Sequence, residues 1–376
     1  MNWSNIYKAL LCFFFLSCTW LQGSGQQVFD IRKYGAVGDG HADDARAIQA
    51  AIDACNAAGG GRVWIPAGHT FLCGPIHLRS HIELYVDANA ILLASPDPDQ
   101  YPESAFGKNT GEGTIWIGGR ELEQVTIDGS GTIDGNGIAF MGPEREDSYE
   151  LKPFHIKDPR PHTLTMIGCR DLRIYNLTIR NSAYWTIHLA GCQDVVVSGI
   201  TLQNSLKVRN SDGIDLDHSK NIRISDCTIE SGDDGICFKN RREYQQYGAC
   251  ENILVTNCTL TSRSCAIKIG SENMDTIRHV LVTNCNIVQS NRGIGIQNRD
   301  EGVVSDISFS HLQIETRFFS DVLWGKAEPI YVTAYKRASI SGKDASWRFP
   351  ANQTTGRVGR VTGIYFDDIV CHSENG

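Results

Sequence analysis

An internal repeat constrains this chain more than any other feature. Residues 171–179 (DLRIYNLTI) and 194–202 (DVVVSGITL) share one order of apolar and polar positions. The order returns from Asn221, Asn252, His279 and Asp306, so successive starts lie 23, 27, 31, 27 and 27 residues apart. An earlier copy begins near Gln124 and a last one near Gly363. Each copy alternates as a short strand does, with Val, Ile and Thr inside and Asn, Asp, Ser or Gly at the breaks. A second short strand sits between copies, at Thr186–Leu189, Gly213–Leu216, Gly235–Phe238, Ala266–Ile269, Gly293–Ile296 and Pro329–Val332. Two or three strands per turn of nearly constant length describe a solenoid, in which equivalent strands stack and bury one continuous apolar column. The Leu-x-x-Leu-x-Leu spacing of leucine-rich repeats is missing, and a β-sandwich would not keep one motif at this period. The expected fold is therefore all-β: a single-stranded right-handed parallel β-helix, forming one domain over residues 26–376.

The two ends of such a coil need separate treatment. Lys8 precedes an apolar run from Ala9 to Leu16, and Gly23-Ser24-Gly25 offers a small-residue exit, so residues 1–25 are read as a signal peptide. The run is shorter than the ~20 apolar residues of a bilayer span, so no membrane-spanning helix is expected. The mature chain is expected to be secreted or periplasmic, with Phe15–Cys18 leaving a cell-surface lipoprotein as the alternative. Asp43 or Asp44 can cap a helix whose apolar stripe is Ala47, Ile48, Ala51, Ile52 and Cys55, closed by Gly59-Gly60-Gly61. This amphipathic N-terminal helix is the expected lid on the first coil. The far end shows no such cover, which implies either truncation at the C-terminus or closure by a partner.

Of thirteen cysteines, two lie in the signal and eleven remain, an odd number for a disulfide framework. Most stand singly beside apolar runs, as Cys227 and Cys258 do, where cysteine acts as a small buried hydrophobe. No Cys-x-x-Cys or His-x-x-x-His pair supports a zinc site. The net charge of −8 opposes nucleic acid or an anionic membrane as partner.

Stacking turns the repeat into a surface map, because equivalent residues of successive turns lie about 4.8 Å apart. Before the second strand the turns carry Asn210-Ser211-Asp212, then Gly232-Asp233-Asp234, then Ser264-Cys265, then Asn291-Arg292. The outward row of that strand runs His188, Asp215, Cys237, Lys268, Gly295 and Tyr331. Asp212, Asp233 and Asp234 thus gather at one edge. Crowded carboxylates keep at least one proton among them, the division of labour that glycoside hydrolysis requires of its acid and base. A lone Asp in a turn more commonly just caps backbone; coincidence on adjacent levels is what favours chemistry.

Asn210-Ser211-Asp212-Gly213 followed one turn later by Gly232-Asp233-Asp234-Gly235-Ile236 resembles the paired aspartate motifs of glycoside hydrolase family 28, the polygalacturonase family. The opening Tyr34-Gly35-Ala36-Val37-Gly38-Asp39-Gly40 resembles the start of that family and of related β-helix proteins. The resemblance implies an inverting glycoside hydrolase without metal or organic cofactor, with Asp233 as general acid and Asp212 and Asp234 holding the attacking water. It implies a pectin- or rhamnogalacturonan-type polysaccharide or oligosaccharide as partner, met by a monomer. Two positions depart from the family. Its Gly-His-Gly falls on Ser264-Cys265-Ala266, and its Arg-Ile-Lys falls on Gly295-Ile296-Gln297, which removes the cations that would hold a uronate carboxylate.

Lys239, Lys268 and Arg292 are the candidate replacements for substrate binding, together with His188 and Tyr331. Trp185 and Trp324 are candidate sugar platforms. The insertion from Arg317 to Arg360, carrying Trp324, Glu328, Tyr331, Tyr335, Lys336 and Arg337, is expected to wall one end of the cleft and favour exo action. Two other readings stay open. A polysaccharide lyase on the same scaffold would use Lys268 or Arg292 as base, and a non-catalytic carbohydrate-binding β-helix would use the groove alone. The sequons at Asn176, Asn257 and Asn352 matter only in a host that glycosylates.

Overall fold

The structure, a computed structural model, describes residues 26–106, 112–146, 151–157, 159–319, 325–336 and 357–374. The signal segment, Trp324, Arg337 and Asn352 lie outside them. The repeats form a parallel β-helix with three strands per coil. One stack is a nine-stranded sheet running from Ile76–His77 through Ile187–Ala190, Ile214–Asp217, Ile236–Asn240, Ile267–Asn273 and Ile294–Asn298 to Ile330–Ala334. The other two strands of each coil belong to a nineteen-stranded sheet.

Register follows the repeat. Leu172, Val195, Ile222, Ile253, Val280 and Ile307 stand directly opposite one another on successive rungs, all buried. Each such side chain contributes roughly 1.5–3 kcal/mol by burial. A one-residue slip would turn a whole rung inside out, so this column fixes the pairing. Each repeat begins on a left-handed residue: Asp171, Asp194, Asn221, Asn252, His279 and Asp306 have φ between 53° and 59°. Asn and Asp tolerate this conformation best, and here they also bond along the stack, Asn221 donating to Asp194 at 2.8 Å and Asn252 to Asn221 at 3.2 Å.

The helix spans Ala45–Ala57, and its buried residues are Ala47, Ile48, Ala51, Ile52 and Cys55, the expected stripe. It covers the first coil. Of the two expected caps, Asp43 accepts from the Ala45 N–H at 3.0 Å, whereas Asp44 sits at the N-cap position but makes no side-chain bond to the helix. Its carboxylate accepts instead from the backbone N–H groups of Val37 and Gly38, at 2.6 and 3.0 Å, and so closes the opening glycine-rich turn. Among the described residues ten cysteines are buried, Cys371 is exposed, and all have free thiols. No described helix is long and apolar enough to cross a membrane.

Candidate active site

The outward row of the nine-stranded sheet holds Thr165, His188, Asp215, Cys237, Lys268, Gly295 and Tyr331 in direct register. Two residues before each strand, the same register aligns Trp185, Asp212, Asp234, Cys265 and Arg292. Close stacking at this corner demands glycine. A Cβ on Gly213 would lie 2.3 Å from the carbonyl oxygen of Gly235, and one on Gly235 would lie 2.5 Å from that of Ala266. The Asp-Gly step on both rungs therefore lets the two turns approach, and the aspartates approach with them. Ser231 and Ser262 both donate to the Asp233 carbonyl, at 2.7 and 2.6 Å, which locks the turn.

Oxygens of Asp212, Asp233 and Asp234 all lie within 4.8 Å of one another. Asp212 and Asp234 are buried, while Asp233 is partly exposed. Asp234 accepts from Lys268 Nζ at 3.1 Å and from Ser264 Oγ at 2.9 Å. Asn210 reaches Asp233 at 3.4 Å. Lys239 lies beneath, 3.4 Å from Asp215, 3.9 Å from Glu272 and 4.0 Å from Asp212. Burial, then Asp215 and Asp233, push the Asp212 carboxyl well above its usual range. Burial and then Asp234 push Asp233 up. Burial also lifts Asp215 to about 8 against the pull of Lys239. For Lys239 the order is reversed: burial favours the neutral amine, but Cys237, Asp215, Glu272 and Asp212 outweigh it and hold the ammonium. The cluster thus retains protons that isolated aspartates would have lost, and they belong to the group as a whole. The three aspartate oxygens are also the set among the described residues close enough to hold a cation; Lys268 and Lys239 already bring positive charge to them.

Lys239 and Lys268, expected to bind substrate, lie beside the aspartates as paired, buried groups. Arg292 stacks on the Tyr331 ring at 4.0 Å and bonds Glu328 at 3.0 Å, two rungs beyond Asp234. His188 corrects its expectation: it is fully buried and meets no open cleft. Burial holds its imidazole below the ordinary value despite Asp217 at 3.5 Å. Asp217 itself is held low, because His188, His218 and Arg241 outweigh the effect of burial, so the pair is a carboxylate facing a neutral ring. Trp185, expected as a sugar platform, is likewise covered. What covers both is Phe106, whose ring lies 5.3 Å from Trp185 and 6.4 Å from His188. Phe106 precedes the repeats, and no periodic signal pointed to it. Asp215 was legible on the outward row and was passed over.

The two departures from the family motif are accommodated. Cys265 is buried, its thiol directed at the Ile267 carbonyl at 3.0 Å and pushed up to about 12 by burial, which leaves it without acid–base chemistry near neutral pH. A Cβ at Gly295 would meet Cys265 Sγ at 2.8 Å, Arg292 Cδ at 3.1 Å and Lys268 Cδ at 3.6 Å. The stems of Lys268 and Arg292 therefore fill the space that a side chain at this position would need.

The sequence profile of Glycosyl hydrolases family 28 matches residues 55–320. The chain belongs to this family. A probable polygalacturonase of Vitis vinifera is 31% identical over 306 residues, 75% of this chain and 60% of that protein. The family 28 member thus spans somewhat less than two thirds of that relative. A family 28 exopolygalacturonase of Yersinia enterocolitica superposes with a TM-score of 0.74 at 21% identity, covering 92% of this chain and 66% of the other. A hyperthermoactive exopolygalacturonase of Thermotoga maritima gives 0.68 at 23% identity, covering 82% and 76%. At such identities the match speaks to fold, which is the right-handed parallel β-helix expected from the repeat.

Proposed function

We propose that this family 28 chain hydrolyses O-glycosidic bonds of a pectic or rhamnogalacturonan-type cell-wall polysaccharide with inversion at the anomeric carbon. The observation that carries the reading is the convergence of three carboxylates from two adjacent rungs, with Asp233 alone partly exposed. Asp233 donates its proton to the glycosidic oxygen as the C–O bond breaks. Asp212 and Asp234 hold a water whose oxygen bonds to the anomeric carbon from the opposite face, one carboxylate taking the released proton. The spacing of at most 4.8 Å between oxygens is shorter than the roughly 6.5–9.5 Å between carboxyl groups in most inverting enzymes. Inversion here rests on the family resemblance and on water being held by two carboxylates rather than one. The fitting partner is a polysaccharide or oligosaccharide acted on by an exported monomer, and the three aspartates need no cofactor for this chemistry.

The lyase alternative requires a free base. Lys268 is held protonated, because Asp234 and its neighbours outweigh the effect of burial, and Arg292 is engaged by Glu328 and Tyr331. Incubation with polygalacturonate and rhamnogalacturonan oligosaccharides, followed by reducing-end analysis and early NMR of the anomeric proton, tests the reading. Hydrolysis with an inverted first product supports it. An unsaturated, ultraviolet-absorbing uronide would transfer the chain to the lyases, and turnover untouched by Asp233→Asn would remove the aspartate mechanism.

A further inference from the structure

The aspartates lie where the outward row changes character. Toward higher rungs Asp233, Glu272, Gln297 and Tyr331 retain exposure. On the two rungs below, the side chains that would continue the groove are covered: Thr165, His188 and His162 are fully buried, and exposure returns on this row at His77, two rungs further down. The register makes this boundary abrupt, since Trp185 occupies on its rung the position that Asp212 occupies on the next. Phe106 seals it, with its ring 5.3 Å from both His162 and Trp185. The guanidinium of Arg241 lies over the Phe106 ring at 4.1 Å.

This cover is built rather than draped. Arg241 is fixed through its backbone N–H to Asp217 at 2.8 Å and through its side chain to Glu243 at 2.9 Å. Tyr244 donates its hydroxyl to the Ala105 carbonyl, tying the turn Arg242–Tyr247 to the segment that carries Phe106. Gly113 leaves room for the ring, because a Cβ there would lie 2.3 Å from it.

We propose that Phe106, backed by Trp185 and Arg241, closes the cleft one rung before the catalytic aspartates and restricts the chain to removing terminal units from its polymer. One inter-strand step, about 4.8 Å, separates the wall from Asp212, which leaves room for about one sugar ring on that side. A polymer enters from the higher rungs and ends against the aromatic wall; an internal segment cannot pass. The inference rests on the hydrolase reading above, and adds that Phe106 is a specificity determinant.

The test follows the products from polygalacturonate and rhamnogalacturonan oligosaccharides by chromatography, beside solution viscosity on the polymers. Wild type should release one short product from the earliest time, with little viscosity lost per bond cleaved. Phe106→Ala should let internal cleavage appear, raising the early ratio of longer oligomers to the short product at least tenfold, whereas Phe106→Trp should keep the wild-type pattern. Should Phe106→Ala fail to fold, Tyr244→Phe, which only unties the covering segment, should shift the ratio in the same direction. Random internal cleavage by wild type would overturn the wall while leaving the hydrolase reading intact, as would a folded Phe106→Ala with unchanged products. Absence of hydrolysis on every substrate would overturn both.

Discussion

Lys268 stands one rung before Gly295, and its Cδ lies 3.6 Å from where a Cβ on residue 295 would be. The missing side chain at Gly295 and the lysine that bonds Asp234 are thus one arrangement. Gly295→Arg, which restores the family residue, should therefore damage the site. Overpacking of this kind costs about 1–3 kcal/mol, readable by urea unfolding, and turnover should fall because Lys268 is displaced from Asp234. A variant as stable and active as wild type would show that the space is free.

Lys268→Met keeps the stem and deletes the charge. Breaking a buried pair from one side costs roughly 3–5 kcal/mol, so the variant should unfold at clearly lower denaturant than wild type and lose most turnover. Lys268→Arg, which keeps the charge, should recover stability better than activity, since the site is shaped to a single ammonium. Thermal melts beside hydrolysis rates check both.

Asp233→Asn removes the proposed acid without changing shape. General acid catalysis is worth about 10²–10⁴-fold, and the rate should fall by that factor while oligosaccharide affinity, measured by calorimetry, stays within a few-fold. A rate loss shared equally with affinity would mark Asp233 as a binding group only.

Asp215 predicts a pH effect of definite sign. Its folded carboxyl titrates at about 8 against an ordinary value of 3.8, so between those limits the folded chain binds more protons than the unfolded one. Stability from this group is then lost as pH rises through the window. Asp215→Asn cannot ionise, and its melting temperature should gain on wild type steadily from the acid end of the window to the alkaline end. Parallel curves would mean that Asp215 is ionised in the fold.

How much of this was legible depended on periodicity. The stripe Ile48–Ile52–Cys55 follows from its own helical spacing, while the turns at Asp194 and Asn221 and the meeting of Asp212 with Asp233 and Asp234 follow from one alignment of the chain with itself, because stacking converts spacing into contact. The same alignment named His188 and Trp185 but gave them the wrong surroundings. Phe106 comes from a segment with no counterpart in other coils, so nothing in the repeat announces that it folds over them. Asp215 shows a related limit: its row position could be read, while its proton depends on burial, against the pull of Lys239 from the next rung. The expected wall in residues 317–360 falls partly outside the described structure, and the wall proposed at Phe106 stands at the opposite end.

The one-rung offset between Trp185 and Asp212 makes the coil a ruler. Under the terminal-unit proposal, length of product follows the number of coils between the barrier and the aspartates, and coils come in whole numbers. Inserting one further turn of the repeat between these two residues would move the barrier by a single step and lengthen the released fragment by one sugar, with the chemistry left where it is.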